Sequence, residues 1–203
     1  MRKNNKSSDS NKNKKTSLII LGCITIIFSI FLILITTGVY MPFATITTRS
    51  MEHRADFESW WSGASQGGSN LFSSRGEYYE SIGITKKDFK GFRFKNGISP
   101  GDLILIMPFK NINVGDVISF WEYSEQTGKK GITTHRVIKV IKKNNTAYYQ
   151  TKGDNYLPSR DEKTGEVYGM HDTHYLPYMS QQYNNTLLPR QEVIGEVFAR
   201  VQR

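Results

Sequence analysis

From Thr16 to Thr48 the chain carries no charged side chain, and Leu18 to Ile35 is almost wholly aliphatic, relieved by Phe28 and Phe31. A helix over 17–40 would be about 36 Å long at 1.5 Å rise per residue, against a hydrocarbon thickness of roughly 30 Å. That is long enough to span a bilayer with some tilt. A cleaved signal peptide is the rival reading, but its apolar region is about 7–15 residues long and ends in a small-x-small site. Here the run is longer, and Gly38-Val39-Tyr40-Met41-Pro42 supplies no such site. The segment therefore reads as an uncleaved anchor. Lys12, Lys14 and Lys15 abut its start, whereas Arg49 is the first charge beyond its end. This asymmetry keeps the N-terminus in the cytoplasm and puts everything after about residue 40 on the extracytoplasmic or lumenal side. Tyr40 suits the headgroup boundary, and Cys23 is a small apolar packing residue within the span.

The same pattern divides the chain into a basic tail (1–16), the anchor (17–40) and an outer domain (41–203). Of the formal charge of +9, the tail holds six basic groups and one acidic, leaving +4 for everything else. A basic face for nucleic acid is therefore not expected. With one cysteine, neither an internal disulfide nor a C-x-x-C zinc site can form. The outer domain must fold on an apolar core, for which 11 Phe, 11 Tyr and 3 Trp provide material.

After residue 100 short apolar runs are set off by turn residues. Gly101-Asp102 leads into 103–107 and Gly115-Asp116 into 117–121, and 132–142, 147–151 and 193–201 follow the same template. Such runs read as strands joined by turns. The last shows strand-like alternation through Val193, Gly195, Val197, Ala199 and Val201. The outer domain should be mainly β. Residues 53–98 read differently: Trp60-Trp61, a Ser/Gly/Asn-rich stretch from Ser62 to Asn70, then a more ordered-looking run from Leu71 to Phe94.

Among the four histidines, His171 and His174 have an H-x-x-H spacing, but the third ligand that a metal edge needs is not evident and a polar loop is the simpler reading. His53 favours no particular role. His135 stands out because it interrupts an apolar strand pattern, between Thr133-Thr134 and Arg136-Val137-Ile138. Ser50 follows the anchor in Thr48-Arg49-Ser50-Met51, Asp154 lies in the turn-like Lys152-Gly153-Asp154-Asn155, and Asp161 is a further carboxylate nearby in sequence. Singly, each has an ordinary structural reading. Together they offer the three groups of nucleophilic hydrolysis: a hydroxyl, an imidazole to take its proton, and a carboxylate to hold the imidazole.

In their order these residues resemble the type I signal peptidases, specifically the archaeal and endoplasmic-reticulum branch. Thr48-Arg49-Ser50-Met51-Glu52 is similar to the nucleophile box, and the Gly101-Asp102 and Gly115-Asp116 strands to the two boxes that follow. Thr134-His135-Arg136-Val137-Ile138 resembles the base box, Thr151-Lys152-Gly153-Asp154-Asn155 with Asp161 the acidic box, and Val193-Ile194-Gly195-Glu196-Val197 the closing strand. The resemblance covers roughly 15–51 and 99–203. The whole stretch between Met51 and Gly101 stands where the family needs fewer than ten residues. Residues 53–98 are thus expected to be an insertion whose removal spares the β fold, since loop closure costs grow slowly with length.

The resemblance implies a signal-peptidase-like β catalytic domain carried on one transmembrane helix. Bacterial members place a lysine where this chain has His135, so it implies a Ser-His-Asp enzyme rather than a Ser-Lys one. It implies Ser50 as nucleophile, His135 as general base, Asp161 as orienting carboxylate with Asp154 in support, and an oxyanion held by the Ser50 backbone N–H and the Thr48 hydroxyl. The implied activity is a membrane-bound serine endopeptidase that removes signal peptides from exported preproteins after small residues. It requires no metal or organic cofactor. Its partners would be signal-peptide-bearing preproteins, the lipid bilayer and the protein translocation channel, with no nucleic acid. The alternative is a non-catalytic, membrane-anchored binding subunit of the export machinery.

Overall fold

The computed structural model describes residues 6–36, 43–63, 71–108, 111–123, 128–172 and 187–202, and divides the chain into two units, 1–40 and 41–203. The first unit contains one helix, α1 (Lys6–Thr36). Its window Lys15–Leu32 has a mean hydropathy of 2.2, and the helix is long and apolar enough to cross a membrane. Thr25 and Ser29 turn their hydroxyls onto the carbonyls of Leu21 and Thr25, each at 2.9 Å, so neither presents an unbonded polar group to its surroundings. The helix begins earlier than the apolar run, taking in the Lys-rich tail, because lysine is a good helix former and an apolar helix is easily extended. Tyr40 lies outside the described residues.

The strands of the second unit are β1 (Phe43–Thr45), β2 (Leu103–Met107), β3 (Val117–Tyr123), β4 (Lys130–Lys143), β5 (Thr146–Lys152), β6 (Ser159–Arg160), β7 (Val167–Tyr168), β8 (Leu188–Pro189) and β9 (Val193–Val201). All five apolar runs read from the sequence are strands, and the domain is mainly β. Seven strands form one antiparallel sheet in the order β1-β2-β9-β3-β4-β5-β8, while β6 and β7 pair as a separate hairpin. The closing strand β9 inserts between β2 and β3, so chain segments far apart in sequence share one core: Ile104, Ile106, Val117 and Val197 pack with Ile46, Met51 and Ile98. A second cluster on the sheet joins Ile118, Phe120, Val137, Tyr149, Leu188 and Val193.

The segment 53–98 packs into the domain. It forms three short helices, α2 (Phe57–Ser62), α3 (Arg75–Ser81) and α4 (Lys86–Gly91), each opened by a side-chain cap from Asp56, Ser74 or Thr85. Phe57, Trp60, Trp61, Tyr78, Tyr79, Ile84 and Phe89 are buried together with Ile138 of the sheet and Leu157. Fully burying a large apolar side chain contributes about 1.5–3 kcal/mol. Six aromatics on that scale rival the whole net stability of a domain, about 5–15 kcal/mol. This burial argues against removing the segment without loss of the fold: the helices contribute a cluster of their own to the core.

Candidate active site

Ser50 sits in a tight turn between β1 and the helical layer. The turn is held from below by Met51, which is buried to 1% exposure and whose carbonyl accepts the Ile98 N–H at 2.8 Å. Gly97 makes that approach feasible: its φ is +75°, and a Cβ there would lie 2.5 Å from the Met51 carbonyl oxygen. The loop after β5 grips the same turn from the other side. The Asn155 N–H donates to the Ser50 carbonyl at 2.8 Å, and the Asn155 side-chain amide donates to the Arg49 carbonyl at 3.0 Å. The Thr48 and Ser50 hydroxyl oxygens stand 3.2 Å apart. Arg49 points to solvent beside Glu52, at 3.8 Å.

His135 lies on β4 opposite Ile118 of β3. Gly153 stands where serine and histidine meet: a Cβ at that position would be 3.0 Å from Ser50 Cβ, 2.9 Å from the Ser50 carbonyl oxygen and 3.1 Å from His135 Nε2. Only a residue without a side chain leaves that space open. Ser50, in the turn after β1, and His135, on β4, thus both border the Gly153 position although they stand far apart in the chain.

On the far side of the ring, His135 Nδ1 is 2.6 Å from Asp172 Oδ2. Asp172 accepts the imidazole N–H, which leaves Nε2, on the Gly153 and Ser50 side, without that proton and able to take one. This carboxylate is not the one expected. Asp161 lies in the β6–β7 hairpin, half-buried, where Oδ1 accepts the N–H groups of Thr164 and Lys163 at 2.7 and 2.8 Å. Those bonds, Thr164 foremost, hold its carboxyl below the usual carboxylate range. Asp161 therefore organises a turn, and the reading of it as the orienting group is corrected in favour of Asp172.

Asp154 is buried and stands behind the site rather than in it. Its two oxygens accept Arg136 Nε at 3.0 Å and Nη2 at 2.7 Å, the Tyr79 hydroxyl at 2.9 Å and His53 Nε2 at 3.1 Å. Burial works to raise its pKa, but the Arg136 charge and these bonds outweigh burial and bring it below the usual range. Arg136 directs its remaining N–H groups to the carbonyls of Gly115, Arg93 and Phe94, at 2.8, 3.1 and 3.0 Å. A single ion pair thus ties β4, the β5 loop and the end of the helical layer together. Lys152, 4% exposed and 5.5 Å from the Tyr78 ring, has its pKa pulled down to about 8 by burial, against the opposing pull of Asp172 and Asp154.

Asp172, Asn155 and His53 acquire roles that the sequence did not suggest. The helical layer left a partial signal, since Ser74…Glu77 and Thr85…Asp88 have the spacing of a capping box. His171 directs Nδ1 toward the Asp172 carbonyl at 3.3 Å, and His174 lies outside the described residues. Among the described residues no group of three His, Cys, Asp or Glu side chains gathers to hold a metal ion. Comparison with protein-family models and with curated proteins found no match to this chain.

Proposed function

We propose that this chain is a membrane-anchored serine endopeptidase of the signal-peptidase kind, acting on exported preproteins after small residues. One observation carries the proposal: Ser50 Cβ and His135 Nε2 converge on the open side of Gly153, while Asp172 receives the opposite nitrogen of the ring. In that arrangement His135 Nε2 takes the Ser50 proton as the oxygen attacks a carbonyl, and Asp172 steadies the imidazolium that forms. His135 then gives the proton to the leaving amine. The Thr48 hydroxyl, 3.2 Å from the Ser50 oxygen, donates to the developing oxyanion in this reading, together with the Ser50 backbone N–H.

The anchor fits this use. Signal peptides carry their own apolar helix, so an enzyme tethered by α1 meets them within the plane of the membrane. In sequence, Ser50 follows soon after Thr36, the last residue of α1. The Lys12, Lys14 and Lys15 cluster orients the anchor with the outer domain on the extracytoplasmic side.

Mixing the purified full-length protein in detergent with a preprotein tests the reading. A shortened product is expected, and Ser50→Ala should slow its formation by at least about 10³-fold while leaving thermal unfolding in place. Binding of the preprotein without turnover by the parent would instead identify a non-catalytic subunit, and near-normal cleavage by Ser50→Ala would remove the serine from the chemistry.

A further inference from the structure

Asp172 belongs to neither strand nor helix, yet its carboxylate must present one oxygen to a ring on a rigid strand. Something has to hold it. The neighbouring strand supplies the means. Thr151 of β5 is fully buried, and its hydroxyl donates to Asp172 Oδ2 at 2.6 Å, the same oxygen that receives His135 Nδ1. Its backbone carbonyl accepts the Asp172 N–H at 2.8 Å. The sheet register explains the placement: Thr151 lies opposite Val137, two residues along β4 from His135, so Thr151 and His135 are diagonal neighbours on one face of the sheet. The carboxylate bridges that diagonal.

We infer that Thr151 is a positioning residue for the His135–Asp172 pair: it clamps the aspartate by backbone and side chain, so that a loop carboxylate acquires the precision of the sheet. The hydroxyl matters at this place because a second short bond to Oδ2, beside the one from His135, holds the carboxyl group in its orientation. A methyl in its place would fill the space and let the Asp172 carboxylate rotate away from the ring. The Asp172 charge also acts on two titratable groups nearby, Lys152 of β5 and Tyr78 of α3.

The inference rests on the proposed chemistry for its consequence in turnover but not for its geometry, so two readouts separate them. In the full chain in detergent, with histidine rings labelled by ¹⁵N and the four ring signals assigned from His135→Gln and His53→Gln, the His135 Nδ1–H proton should resonate at low field, as expected of a short bond to a carboxylate. Thr151→Val should shift that signal upfield or broaden it into exchange with water. Thr151→Ser, which restores the donor, should return it. With preprotein as substrate, Thr151→Val should lower kcat by about 10- to 100-fold with KM little changed, and Thr151→Ser should recover most of it, as loss of a bond to a charged group and of alignment predicts. Should Thr151→Val fail to fold, Thr151→Ala against Thr151→Ser decides on the same ring signal. A His135 signal that is the same in the parent, Val or Ala, and Ser proteins overturns the inference. Absence of cleavage by the parent overturns the proposed function instead, and leaves the ring signal to decide the role of Thr151.

Discussion

Among the described residues, two histidine–aspartate pairs share their chemistry and differ in their surroundings. His53 and Asp154 meet at 3.1 Å with both side chains wholly buried, the imidazole stacked on Trp60 at 3.6 Å and the carboxylate neutralised by Arg136. His135 and Asp172 meet at 2.6 Å with 15% and 19% of their side chains exposed, beside a serine and an unfilled glycine position. In the first pair, burial is the largest influence on His53 and lowers its pKa despite the opposing pull of Asp154, so the interior disfavours the charged ring. The second pair retains access to solvent and borders the Gly153 position beside Ser50. The same two residue types thus sit in a sealed interior in one case and at a partly open position in the other.

Four experiments test how far the two pairs differ. The largest effect should come from replacing 55–96 by a short Gly-containing linker, which strips the aromatic cluster, Trp60 included, from around His53: we expect loss of the cooperative unfolding transition, read by circular dichroism. A domain that still melts cooperatively would show that the surroundings of the first pair are not core. Next, Asp172→Asn should reduce cleavage by about 10³–10⁴-fold with the fold retained, because the ring loses the partner that selects its tautomer. Asp161→Asn should stay within a few-fold of the parent, and the reverse pattern would exchange their roles.

Breaking the buried pair should register in stability first. Arg136→Met leaves Asp154 charged and unpaired with its main counterion in the interior, at a cost of about 3–5 kcal/mol in denaturant unfolding. An unchanged midpoint would sink the view of this ion pair as the tie between sheet and helices. The smallest effect is the pH dependence of stability. Because the folded-state pKa of His53 lies below its ordinary value, the unfolded chain binds protons more readily, and stability is lost as pH falls below about 6.5 toward the folded pKa. Asp154 has the same sign at lower pH, its contribution being lost as pH falls below about 3.9. His53→Gln should flatten the first of these slopes between about pH 6.5 and 5 in thermal melts. A slope identical to that of the parent would mean that His53 is not the group responsible.

The fold was far more legible in the sequence than the site. Apolar runs such as 103–107 and 117–121 announce strands because a strand buried in a sheet must be apolar and is bounded by turn residues, a local rule. The helices of 53–98 escaped the same kind of reading because each is only six or seven residues long, too short for a helical period to show. Capping-box spacing at Ser74…Glu77 and Thr85…Asp88 is a local signal for two of them, but their burial depends on Ile138 and Leu157, which lie far beyond α4 in the chain.

Short windows of sequence were enough for the uncharged span, its charge asymmetry, the five principal strands, and Ser50 and His135 as the candidate nucleophile and base. Within such windows the physics is that of one helix, one strand or one box of residues. The choice among the aspartates belongs to the folded chain. Asp154, Asp161 and Asp172 all stand outside the long strands and all have turn-forming neighbours, so no local pattern ranks them. Which carboxylate reaches His135 depends on the path of the chain after β5, which folds Asp154 inward onto Arg136, commits Asp161 to its own hairpin and returns Asp172 to Thr151. The contacts of Asp154 and Asp172 are long-range, and their geometry exists only once the sheet has formed.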